Sequence, residues 1–302
     1  MAPAPEAEYF TDSRGVAVAY YRWTPQGAPR AIVLIAHGAS EHGARYDRFA
    51  TFLADHGFAV FANDHRGHGN TAKATGVGVP GAGGWDGIID DLHELNQLAR
   101  AAVPGVKVVQ FAHSMGSFIA QGYIQRYGDE IDGIVMSGTV GSMGDVNGTL
   151  EMLAAIIPDA GEDSPMPSLS TFNEGVTDPR TPFDWLSRDP AEVDKYIADP
   201  FCGDDIPLTW GWAREMMGGM KAAWSNESAV RKDLPILFIT GEQDPVSENA
   251  KTVHELEARY RDLGLTNVTA RYYPEARHEL LNETNRDEVQ DDILRWIEGV
   301  VG

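Results

Sequence analysis

The 302-residue chain reads as an α/β fold: a mostly parallel, doubly wound sheet interrupted once by an inserted helical cap. Three observations predict it. Short β-forming runs alternate with longer runs of helical period, the signature of strand–helix units whose helices cover both sheet faces. Residues 31–36 (AIVLIA) form an unbroken apolar run, as a central strand buried on both faces requires. The rhythm then breaks over 141–226, a stretch rich in Pro, Asp, Trp and Met, and resumes at 235–240 (PILFIT).

Each element has its own signal. Residues 16–23 read as an early antiparallel strand. After the strand at 31–36, Tyr46, Phe49, Phe52 and Leu53 recur at helical spacing and Gly57 stops the helix. Residues 59–62 (AVFA) are the next strand, with the loop 64–69 (DHRGHG) at its carboxyl end. Trp85, Ile88, Ile89, Leu92 and Leu95 make the apolar face of a helix whose other face is acidic. Residues 107–111 and 134–136 are the following strands. Within the break, 150–157 and 210–220 carry helical patterns; after it come a strand at 268–273 and a closing amphipathic helix at 289–300. The organisation expected is a core in two parts, 1–140 and 227–302, around a helical cap at 141–226.

Composition narrows the function classes. With 43% apolar and 9% aromatic residues the chain can bury a substantial core. A single cysteine, Cys202, excludes an internal disulfide and a Cys-rich metal cluster, and reads as a buried thiol. The first residues (MAPAPEAE) lack a basic start and an apolar stretch, and no apolar run approaches a membrane span. The expectation is a soluble, cytoplasmic protein without stable membrane insertion, in which the sequons at Asn147, Asn226, Asn267 and Asn282 carry no meaning. A formal charge of −21 argues against nucleic acid and against lasting adhesion to anionic membranes.

The segment 108–118 (VVQFAHSMGSF) places Ser114 between an apolar run and a helix-like run. A strand that turns abruptly into a helix exposes a serine hydroxyl at the tip of the turn. Residues two before and two after must be small, as Ala112 and Gly116 are. The helix start adds unpaired N–H groups where a negative oxygen would develop. Read alone, Ser114 has a second explanation as a helix N-cap, one that would need no base or carboxylate downstream; its partners decide between the two.

In open α/β sheets the loops at the carboxyl ends of strands converge on one rim. Three chemistry-bearing residues follow strands there: Ser114, Asp244 in GEQDP and His278 in EARHE, in the chain order Ser, Asp, His. Alone, Asp244 before Pro245 is a turn residue and His278 a loop histidine. Together they compose a triad in which His278 takes the serine proton as general base and Asp244 fixes the imidazole tautomer. The loop 37–42 (HGASEH) fits an oxyanion loop, with the N–H of Ala39 as first donor and that of Met115 as second.

The motifs HGASEH, DHRGHG, AHSMG, GEQDPV and ARHE resemble the motif set of serine α/β-hydrolases related to monoacylglycerol lipases and lysophospholipases, of the serine aminopeptidase S33 (Hydrolase_4) type. The resemblance covers almost the whole chain. It implies an eight-stranded α/β-hydrolase sheet with a helical cap, and ester hydrolysis through Ser114, Asp244 and His278 with oxyanion donors at Ala39 and Met115. No cofactor and no metal are expected. Where that family usually has Gly, this chain has Ala112, which bears on the fine geometry of the turn.

His37, His42, His65 and His68 with Asp64 and Glu41 could form a metal site, but lack the pairing of a metal-binding helix motif. The glycine-rich stretch 76–84 follows no strand and precedes no Lys-Ser/Thr, so it reads as a flexible surface loop. Of Met143, Met152, Met166, Phe172, Phe183, Trp185, Trp210, Trp212, Met216, Met217, Met220 and Trp224, half or more should pack the cap and the rest could line an acyl pocket. The partner expected is a small-molecule ester with an apolar acyl chain. The alternatives are a short-chain carboxylesterase, an S33-type peptidase and a non-catalytic ligand-binding member of the fold; dehalogenase chemistry would call for a carboxylate at 114.

Overall fold

In a computed structural model of the protein, which describes residues 5–167, 172–173 and 175–302, eight strands join one sheet. They are β1 (Glu8–Thr11), β2 (Ala17–Trp23), β3 (Ala31–Ala36), β4 (Phe58–Asn63), β5 (Lys107–His113), β6 (Gly133–Ser137), β7 (Ile236–Gly241) and β8 (Val268–Tyr273). The sheet order is β1-β2-β4-β3-β5-β6-β7-β8. The β1–β2 and β2–β4 pairs are antiparallel, and every pair from β4 onward is parallel.

The central strands are buried on both faces, as their apolar runs require. Side chains still alternate between two cores. Ile32 and Leu34 of β3 join Ile88 and Leu92 of α3 (Gly84–Ala102) and Ile119 and Tyr123 of α4 (Met115–Tyr127). Val33 and Ile35 face the other way, onto Phe49 and Leu53 of α1 (Asp47–Asp55) and Val289 and Ile293 of α9 (Arg286–Val301). A short α2 (Ala72–Thr75) follows β4, and α8 (Lys251–Asp262) links β7 to β8.

Among the described strands and α-helices, β1, α2, α6 (Pro190–Ala198) and α8 had no reading in the sequence. The edge strand β1 is four residues with alternating exposure, too short to show a period. Helix α6 did leave a signal, an Asp-Pro start: the Asp189 side chain accepts from Ala191 N at 3.0 Å and Pro190 takes the first turn.

Between β6 and β7 the chain inserts α5 (Val146–Ala160), α6 and α7 (Trp210–Ser225). Helix α7 is anchored to the sheet's helical layer. Trp212 is fully buried, its Nε1 donates to the Arg66 carbonyl at 3.3 Å, and Gly219 lets the helix lie directly on the Trp85 ring. The stretch 76–84 differs from the flexible loop expected. The Gly78 carbonyl accepts from Thr209 N at 3.2 Å and Thr209 Oγ1 at 2.8 Å, and α3 begins at Gly84. A tight backbone approach, inaccessible to sequence periodicity, explains Gly78: a Cβ there, at φ 66, would overlap the Pro207 carbonyl. Cys202 is buried, as expected. Among the described residues no helix is long and apolar enough to cross a membrane.

Candidate active site

Ser114 sits between the last residue of β5 and the first of α4, at φ 49 and ψ −123. A non-glycine residue holds such a conformation only where its surroundings over-determine it. Here Ser114 N donates to Ser137 O at 2.9 Å, while its carbonyl accepts from Ser117 N at 2.8 Å, Phe118 N at 3.1 Å and Ser117 Oγ at 2.6 Å. Gly116 is small because α4 starts against the end of β3: a Cβ there would meet the carbonyl oxygens of Ala36 and His37. Ala112 is accommodated, fully buried and in register with Ala36 and Met136. The obstruction at Gly116 is backbone, which cannot swing away. Gly116→Ala should therefore cost about 1–3 kcal/mol of stability and lower turnover as α4 shifts; unchanged denaturant midpoint and turnover would contradict this packing.

Asp244 and His278 come from the loops after β7 and β8. Gly241 makes their meeting possible, since any side chain there would overlap the carbonyls of Ala276 and Arg277. His278 Nδ1 lies 3.0 Å from Asp244 Oδ1, and both side chains are essentially inaccessible to solvent. A carboxylate can only accept, so Nδ1 carries the proton and Nε2 keeps its lone pair. Asp244 Oδ1 also accepts from Val246 N at 2.9 Å. Burial pulls the His278 pKa down, but the Asp244 charge and hydrogen bond, with Glu279 and Glu41 beyond, leave it above the usual imidazole value. Neighbouring His113 lacks such a partner; burial and His278 hold it down to about 3.

The loop after β3 carries the third component. His37 Nδ1 donates to the Gly38 carbonyl at 2.7 Å, and its Nε2 accepts from His65 N at 2.9 Å, so one neutral tautomer is fixed. Burial, with His65 and His68 beside it, holds the His37 pKa well below its usual value. Gly38 N in turn donates to Glu41 Oε1 at 2.5 Å. Gly38 allows the close approach: a Cβ would stand 3.1 Å from Ser114 Cβ. The peptide joining Gly38 to Ala39 is thus held through its carbonyl and through the preceding N–H. Among the described residues, the N–H groups of Ala39 and Met115 donate to no protein acceptor.

Ser114, His278, Ala39 and Met115 all line one cavity of about 310 Å³. Of the apolar residues that the sequence offered, Met143, Met166, Phe172, Phe183, Trp185 and Met216 reach it. Trp212 and Met220 are consumed in packing, and Met152 is exposed. Leu186, Tyr196, Leu208 and Val246 also line it. None of these four lies in a run whose period could have revealed its direction. The two glutamates that line the cavity are engaged by a single cation: Arg45 bonds Glu279 in bidentate fashion at 2.5 and 2.7 Å and Glu41 at 2.8 Å.

The candidate metal ligands do not assemble as a set. Asp64 is occupied by Gly43 N at 2.8 Å, Asn70 N at 2.7 Å and the Tyr21 hydroxyl at 3.0 Å, so it anchors its loop. His37, His65 and His68 pack ring against ring. His42 turns away to Asp199, 3.0 Å distant, with Cys202 nearby; these form the one convergent group of possible ligands among the described residues.

An eight-stranded sheet of this order, with helices inserted after β6, is the architecture of the α/β-hydrolases, and a strained serine at the β5–α4 turn marks their serine-dependent branch. The chain belongs to the family described as Serine aminopeptidase, S33 (Hydrolase_4), whose model matches residues 27–285. It is 30% identical to a monoacylglycerol lipase of Mycolicibacterium smegmatis over 291 residues, 95% of either chain. A monoglyceride lipase of Mus musculus is 28% identical, with 87% of this chain and 84% of that one covered. Among solved structures, a highly thermostable carboxyl esterase from Bacillus coagulans, crystallised with glycerol, superposes over the whole of both chains with a TM-score of 0.89 and 30% identity.

Proposed function

We propose that this serine ester hydrolase cleaves esters of apolar acyl chains, monoacylglycerols and lysophospholipids foremost, through an acyl-serine intermediate. The observation that carries the reading is the convergence of Ser114 and the Asp244–His278 pair on one cavity walled by Met, Phe and Trp. Ser114 Oγ attacks the ester carbonyl carbon while His278 Nε2 takes its proton, and the tetrahedral oxyanion accepts from the N–H groups of Ala39 and Met115. His278 then returns the proton to the departing alkoxide. Water, deprotonated by the same imidazole, attacks the acyl-serine and releases the acid. Residues 141–226 serve as the cap that walls the cavity.

A peptidase cleaving at a free amino terminus would need an anion to receive the substrate ammonium. The Glu41 and Glu279 carboxylates beside the cavity share Arg45, and their oxygens also accept from Gly38 N and the Tyr46 hydroxyl (Glu41) and from Asn282 Nδ2 (Glu279), engagements within the protein that favour the ester reading. The relatives named monoacylglycerol lipase and monoglyceride lipase favour the same substrate class.

Comparing p-nitrophenyl esters of rising chain length with a monoglyceride and a lysophospholipid tests it. kcat/KM should climb with each added methylene until the cavity is filled, by up to about fourfold per step at roughly 0.8 kcal/mol. A maximum at acetyl or butyryl would replace the long-acyl reading with that of a short-chain carboxylesterase.

A further inference from the structure

Ser40, the residue after Ala39, has φ 52, a left-handed conformation that a non-glycine side chain keeps only under restraint. Its restraints all come from outside the core. The Ser40 carbonyl accepts from the Tyr196 hydroxyl and from Gly203 N, each at 3.0 Å, which fills both lone pairs. Its hydroxyl donates to the Ile206 carbonyl at 2.8 Å. Two residues on, His42 meets Asp199. Every one of these partners lies on α6 or in the turn after it, within the inserted segment.

The loop is therefore held from two sides that belong to different parts of the fold. His37 and Glu41 fix Gly38 from the core. The inserted segment fixes Ser40, and Ala39 lies between the two clamps. We propose that the inserted segment sets the oxyanion geometry, and that Tyr196, acting through Ser40, is a positioning residue for the reaction; this rests on the reading of Ala39 as an oxyanion donor. Ester cleavage then depends on the seating of α6 as well as on the triad. An N–H displaced by a fraction of an ångström binds the developing oxyanion less well while leaving the ground-state ester, held by its acyl chain, almost unaffected.

Tyr196 also lines the cavity, so the experiment must separate positioning from a role as acyl wall. Tyr196→Phe removes only the hydroxyl; the ring keeps its packing on Phe183 at 5.2 Å and under Arg45 at 4.7 Å. For p-nitrophenyl butyrate and octanoate alike, kcat should fall by about three- to tenfold, with KM little changed. Affinity for a trifluoromethyl ketone should fall by the same factor, because the hemiketal it forms with Ser114 places its oxygen where the oxyanion develops. Ser40→Gly, which relieves the backbone strain and removes the bond to Ile206, should lower the same two quantities together. An unchanged kcat and ketone affinity in both variants overturns the proposal. So does a loss confined to KM that grows with chain length, since that is the behaviour of a wall. Fluorophosphonate labelling of the unmodified protein separates the two levels: if Ser114 is not labelled, the assignment of the nucleophile fails and this inference with it. If Ser114 is labelled and the variants behave as the unmodified protein does, only the positioning role fails.

Discussion

Ser114→Ala should abolish ester hydrolysis, with a loss on the order of a millionfold in turnover, by analogy with triad removal in serine hydrolases. The fold should survive. The Ser114 hydroxyl makes no bond on which the turn depends: the elbow is held by its backbone N–H and carbonyl, through Ser137, Ser117 and Phe118. What remains at φ 49 is an alanine, strained as the serine is, so the thermal midpoint should move little. Turnover on a p-nitrophenyl ester, circular dichroism and fluorophosphonate labelling with peptide mapping check the three parts. A variant with near-normal turnover, or a label on any other residue, removes Ser114 as the nucleophile.

Asp244→Asn should come next, with kcat lower by about ten-thousandfold at neutral pH. The carboxylate does two things that an amide cannot: it fixes the Nδ1–H tautomer of His278, and it opposes the cost of a buried imidazolium. The pH profile gives the second function a sign. With Asp244 present the His278 pKa is raised, so kcat/KM of the native protein should decline on acidification with a midpoint above the ordinary imidazole value of 6.5. Loss of the charge leaves burial as the dominant influence, and burial lowers the pKa. The residual activity of the variant should therefore persist to lower pH than that of the native enzyme. An acid limb that stays in place would mean that Asp244 does not set the His278 pKa.

Fold class was legible because its signals are local. The run AIVLIA reads as a strand buried on both faces, and β3 is that strand. The amphipathic period from Trp85 to Leu95 similarly marks one face of α3. What escaped were elements whose burial is decided by distant chain. The Gly78 stretch looks mobile in isolation, yet Thr209 pins it. Short α6 gave only its cap, although Tyr196 on it reaches both the cavity and Ser40. Gly116 and Gly241 read as ordinary small residues; only the approach of the Ala36 and Ala276 carbonyls explains why nothing larger stands there. Half of the apolar candidates in the insertion face the cavity and half do not, because no period distinguishes a wall from a core when both are apolar.

The sequence by itself therefore determined the parallel part of the sheet, the family and a short list of candidate side chains, since strand order confines the ends of parallel strands to one rim. Tertiary structure decided what each side chain faces. It put His278 against Asp244 and made Arg45 the common partner of Glu41 and Glu279. It also suspended Ser40 from residues more than 150 positions away. Hydrogen-bond geometry and burial are properties of segments brought together in space, and no local pattern records which segments those are.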